Sequence, residues 1–127
     1  MKTKLHQTRN DMNEQTRCAM TSLLNQQLAD AIDLGLQTKQ AHWNVKGPNF
    51  IGLHELFDKA AEELEEFTDD IAERAVELGG FALGTIQAIS KNSRLTAYPA
   101  RQCQQLQCPH VAVRLRDVGL VSGGPFQ

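Results

Sequence analysis

Between Ile51 and Leu78 the chain runs for 28 residues with no proline and a single glycine, Gly52. Its apolar residues recur with the period of an α-helix, so this stretch is predicted to form one long amphipathic helix. With His54 set at 0° and about 100° per residue, Leu53, Leu56, Phe57, Ala60, Leu64, Phe67, Ile71, Ala75 and Leu78 fall between about 200° and 300°. That stripe is the predicted core face. His54, Asp58, Asp69 and Glu73 fall at about 0°, 40°, 60° and 100°, roughly 150° from the centre of the stripe. These side chains, all of metal-ligating type, are therefore expected to point away from the chain's own core.

Their spacing limits what they can do together. His54 and Asp58 are four residues apart, as are Asp69 and Glu73, so each pair can close on one ion from adjacent turns. Asp58 and Asp69 are eleven residues apart, about 16 Å of helix, too far to share an ion within one helix. A second copy running antiparallel about a two-fold axis near Glu63 and Leu64 brings His54 opposite the mate's Glu73, and Asp58 opposite the mate's Asp69. Two mixed imidazole and carboxylate sites per dimer result.

A preceding helix is predicted from about Asn13 to Val45, with Met20, Leu23, Leu24, Leu28, Ala31, Leu34, Ala41 and His42 on one face and Asp30, Asp33 and Lys39 off it. On periodicity alone, His42 is either a satisfied core histidine or a ligand. Lys46, Gly47, Pro48 and Asn49 break the helix, with Asn49 placed to cap the next one. Gly79 and Gly80 end the second helix, and Phe81 to Ser93 reads as a short helix or turn element. The predicted class is all-α.

The run AHWNVKGPNFIGLHELFD, followed by DDIAER, ELGG and RLTAYP, resembles the Dps proteins (DNA-binding proteins from starved cells) of the ferritin-like superfamily over about residues 16 to 99. The matching motif is His42, His54, Asp58, Asp69 and Glu73, and it favours the ligand reading of His42. The resemblance implies a ferritin-like helical hairpin, the first two long helices and short connecting helix of a four-helix bundle. It implies that His42, His54 and Asp58 come from one subunit and Asp69 and Glu73 from its two-fold mate, with the segment Phe81 to Ser93 at that interface. It further implies a ferroxidase: Fe(II) oxidised preferentially by hydrogen peroxide, Fe(III) stored in a hollow homo-dodecamer, and DNA protected. Hard carboxylates mixed with imidazole suit Fe(II), and they hold Fe(III) more tightly once it forms. Trp43 either packs under the site or lies close enough to relay an electron, and Glu62, at about 80° on the wheel, is a candidate outer-shell acid.

With 127 residues the chain has the length of one small domain. It has no run of 18 apolar residues and a polar N-terminus, so a soluble, cytoplasmic protein is expected, nucleoid-associated if it binds DNA. Three cysteines do not suggest a disulfide framework. The net charge of −2 conceals segregation: residues 1–17 carry +2, 18–90 carry −8 and 91–127 carry +4. Such an acidic body favours cations, and its basic margins suit polyanions. Residues 1–12 read as a flexible basic tail in which Lys2, Lys4 and Arg9 are candidate contacts to DNA phosphates, multiplied by oligomerisation.

Residues 13–99 form the ferritin-like region, and after Pro99 the pattern changes. Residues 100–127 carry three glycines, two prolines, no lysine and no sustained period, where the family has its third and fourth long helices. Those helices are missing or replaced here, by a frameshift, a truncation or a divergent tail. Cys103, Cys108 and His110 match no familiar zinc spacing and lack a fourth ligand. Three functional readings follow: an iron-oxidising and iron-storing Dps protein, a non-catalytic DNA-compacting protein that retains the motif, and a product that neither assembles nor acts.

Overall fold

The computed structural model describes residues 4–99. Among these residues the chain is all-α, with three helices and no strand: α1 (Glu14–Asn44), α2 (Phe50–Glu77) and α3 (Ile86–Asn92). No described helix is long and apolar enough to cross a membrane. The expectations for Lys2, for the cysteines and His110 of the tail, and for the third and fourth long helices fall outside the described residues.

The helix ends follow from local chemistry. Asn13 caps α1, its Oδ1 accepting the Thr16 amide at 2.8 Å. The α1–α2 connection turns at Gly47, whose φ of 108° suits a residue without a Cβ. The Asn49 carbonyl then accepts from the Leu53 amide at 3.1 Å. At the far end of α2, Gly79 has φ 87°. Its amide donates to Val76 at 2.8 Å, and the Gly80 amide reaches back to Ala75 at 3.0 Å. This is the paired closure of a Schellman motif. Thr85 caps α3 by accepting from the Ala88 amide.

The chain forms two compact units, one of residues up to Asp33 together with Glu66–Leu95, the other beginning with Leu34–Glu65. In the first unit Thr21, Leu28 and Ala29 of α1 are buried, as are Ala75, Leu78 and Ile89. A polar row on α1 straps the segment that follows α2. Asn25 donates to the Phe81 carbonyl and accepts from the Leu83 amide, both at 2.8 Å. Asp33 accepts from Ser93, and Asp30 pairs with Arg94 through its backbone amide and its guanidinium. The N-terminal segment also engages this unit: the His6 amide donates to the Gly79 carbonyl, and the His6 ring meets Phe81 edge-on at 4.6 Å. Around His6, then, the N-terminal segment is engaged with the glycine turn through these two contacts.

In the second unit Leu34, Gln37, Thr38, Ala41 and His42 of α1 are buried, as is Val45 just after it, with Phe57, Ala60 and Leu64 of α2. The face predicted for α1 is thus partly corrected. Met20 is 40% and Leu23 50% exposed, while the small or polar Thr21, Ala29 and Thr38 are buried. Thr38 tolerates burial because its hydroxyl donates to the Leu34 carbonyl at 2.7 Å. On α2 the buried line is narrower than the predicted stripe: Leu53, Leu56 and Ile71 are intermediate, and Phe67 is 51% exposed.

Candidate metal centre

The second unit brings three of the five motif residues together. His42 sits in the last turn of α1, and His54 and Asp58 sit one turn apart on α2. The two imidazoles stack, with ring centroids 3.7 Å apart and planes inclined by 24°. Each holds the other helix. His42 Nδ1–H donates to the His54 carbonyl at 2.8 Å, and His54 Nδ1–H donates to the His42 carbonyl at 3.0 Å. A carbonyl only accepts, so both Nδ1 atoms carry the proton. In the neutral rings both Nε2 atoms are then left with a lone pair, the state a metal requires. Phe50 lies 5.1 Å from the His54 ring, closing one side.

Asp58 Oδ1 lies 3.8 Å from His42 Nε2. The same oxygen accepts from Lys39 Nζ at 2.6 Å. That hydrogen bond, reinforced by the charge of Lys39, holds the Asp58 carboxyl below the usual aspartate range against an opposing effect of desolvation. Asp58 is thus kept ionised, as a ligand must be.

The wheel had His54 and Asp58 pointing away from the core; both are instead half-buried. His54 is about 60° from Phe57 on the helix, so it flanks the buried line and meets His42 across the helix pair. Lys39 was missed by reading it as off the buried face. Its signal was its place three residues before His42, on the same side one turn earlier.

Asp69 and Glu73 belong to the first unit and are exposed, as the wheel implied for them. Glu73 and Glu77 edge a shallow groove of about 390 Å³ whose remaining lining is Ala72, Val76 and Ala82. Glu62 is exposed. Trp43 does not pack beneath the histidines; it is 68% exposed on the last turn of α1. Among the described residues no group of three or more histidine, cysteine or acidic side chains closes on one metal position within a single chain. His42, His54 and Asp58 are a partial donor set, chemically fit for a divalent ion and short of ligands.

The comparisons with known proteins agree with the all-helical fold. A family model described as a ferritin-like domain matches residues 21–106. Over 96 residues the chain is 51% identical to the DNA protection during starvation protein of Agrobacterium fabrum, covering 76% of this chain and 59% of that protein. It is 45% identical over 73 residues to the protein of the same name from Mycolicibacterium smegmatis, covering 58% and 40% respectively. Among solved structures, Mycobacterium smegmatis Dps in its tetragonal form superposes with a TM-score of 0.71 at 37% identity, over 74% of this chain and 57% of that one. DpsC from Streptomyces coelicolor gives a TM-score of 0.79 at 31% identity, over 90% and 64%. The chain belongs to the ferritin-like family, and within it to the Dps proteins. It spans 59% and 40% of the lengths of these two curated relatives.

Proposed function

We propose that the chain binds Fe(II) as a substrate at a site shared between two copies, oxidises it with hydrogen peroxide, stores the Fe(III) and thereby protects DNA. The observation that carries this reading is the reciprocal pairing of His42 and His54, in which each Nδ1 is committed to a backbone carbonyl and each Nε2 is left for a ligand bond, beside an Asp58 held in its ionised form by Lys39. Such a set is built for a borderline divalent ion, and it is incomplete. Asp69 and Glu73, exposed and eleven or more residues beyond Asp58, supply what is lacking when they come from a second copy. The name of the Agrobacterium fabrum and Mycolicibacterium smegmatis relatives, DNA protection during starvation protein, agrees with the protective role.

The chemistry balances without further reactants. Two Fe(II) each give up one electron, and one peroxide takes both with two protons to leave two waters. The chain's own contribution is to place the ions, keep Asp58 charged, and leave coordination positions open for the oxidant. Assembly into a closed homo-oligomer, a dodecamer by family resemblance, would provide the storage space, in the cytoplasm. Non-specific DNA contact through Lys4, Arg9 and Lys2 would add to protection. Replacing His54 or Asp58 with alanine should abolish rapid Fe(II) oxidation, followed by the rise of ferric absorbance, while circular dichroism keeps its helical signal. Wild-type rates in the double variant would overturn the ligand assignment.

A further inference from the structure

Asp58 already has a cation. Lys39 Nζ lies 2.6 Å from Asp58 Oδ1, and His42 Nε2 lies 3.8 Å from that same oxygen. One carboxylate oxygen is thus shared between an ammonium and the ring edge that would hold a metal. A protonated lysine has donors only and cannot be a ligand. It also repels a divalent ion, so its place beside the donor set is not explained by metal binding itself. Burial does not explain it either, since the Lys39 and Asp58 side chains are 39% and 43% exposed.

We propose that Lys39 is a resident counter-cation that determines specificity: it holds Asp58 in the metal-free chain, and a divalent ion binds there only by displacing it. The inference rests on His42, His54 and Asp58 being iron ligands, and adds the exchange that admits the iron. A monovalent metal ion gains little, because it would replace one positive charge by another. A divalent ion brings a second charge and engages the two imidazole nitrogens, which the ammonium cannot use as ligands. The displaced lysine has a flexible four-carbon stem and a half-exposed position from which to turn into solvent. It can return once the site empties, so Asp58 is never left as an uncompensated charge between turnovers.

The test titrates the full chain with Co(II), which binds without being oxidised by air on this timescale, and reads calorimetry and visible absorption rather than turnover. Four variants accompany the wild type: Lys39→Met, Asp58→Asn, the double variant, and Lys59→Met. Lys59 lies near Glu63 at 3.8 Å and controls for a simple change of net charge. Lys39→Met should bind Co(II) about fivefold more tightly, the scale set by releasing a half-exposed ion pair. Lys59→Met should stay within about twofold of wild type, as expected for an exposed charge one step removed. In the Asp58→Asn background the gain from Lys39→Met should vanish. Unchanged affinity in Lys39→Met, an equal gain in Lys59→Met, or a gain that survives Asp58→Asn would overturn the exchange while leaving the ligands in place. Co(II) binding indifferent to Asp58→Asn would overturn the iron site itself, and the exchange with it.

Discussion

At the scale of single residues, the centre is decided by which nitrogen of each imidazole keeps its proton. The His42 and His54 carbonyls each take an Nδ1–H, so the backbone of one helix sets the tautomer of the other's histidine. Nitrogen-15 spectra of the metal-free chain should therefore show both rings protonated at Nδ1, with Zn(II) perturbing the Nε2 resonances. Protonation at Nε2 in either neutral ring would contradict the arrangement. Removing one ring, as in His54→Ala, deletes one of the two carbonyl bonds and should cost about 1 kcal/mol of stability by urea denaturation. None of this was legible in the sequence. Spacing places His54 and Asp58 on one side of a helix, but it does not show that the side abuts a second helix carrying His42 and Lys39.

Among the elements, α1 and α2 were legible almost to the residue, because the break at Lys46–Asn49 and the pair Gly79–Gly80 mark their ends. Which residues they bury was less legible. A long helix with buried Thr21, Thr38 and Gln37 has a polar contact line that hydropathy does not detect, and the exposed Met20, Leu23 and Phe67 were assigned to the core on hydropathy alone. The strap from α1 to the segment after α2, through Asn25, Asp30 and Asp33, was missed for the same reason. At the glycine turn, a Cβ on Gly80 would meet Thr21 Cγ2 and the Ala75 carbonyl. Gly80→Ala should accordingly destabilise the chain by roughly 1–3 kcal/mol. Combining it with Thr21→Ser, which removes the opposing methyl, should restore part of the loss. An unchanged denaturation midpoint in Gly80→Ala would show that α1 and the turn do not approach so closely.

For the whole molecule, charge is segregated along the sequence, −8 over residues 18–90 against +2 over 1–17 and +4 over 91–127, a pattern that suits the cations and the polyanion of the proposed function. The docking of His6 on Gly79 fixes how DNA binding through the N-terminal segment should be tested. Lys4 and Arg9 are exposed on either side of it, so Lys4→Gln with Arg9→Gln removes charge while keeping the docked backbone. The double variant should weaken retardation of duplex DNA equally across sequences and flatten its salt dependence. Retardation that is unchanged in the double variant yet still falls with salt would assign binding to other basic residues of the chain, such as Arg114 and Arg116.

The proposed function places iron between two copies, because Asp58 and Asp69 lie eleven residues apart on one helix, about 16 Å, too far to share an ion within a single chain. Mixing His54→Ala with Glu73→Ala chains, after dissociation and reassociation, tests it most directly. In a hybrid dimer both defects fall in one site, and the other site draws every ligand from intact positions. One of the two sites in each hybrid should therefore regain Fe(II) oxidation, although each parent is inactive. No recovery, in a mixture shown by mass spectrometry to contain hybrids, would contradict the shared site and return all the ligands to a single chain.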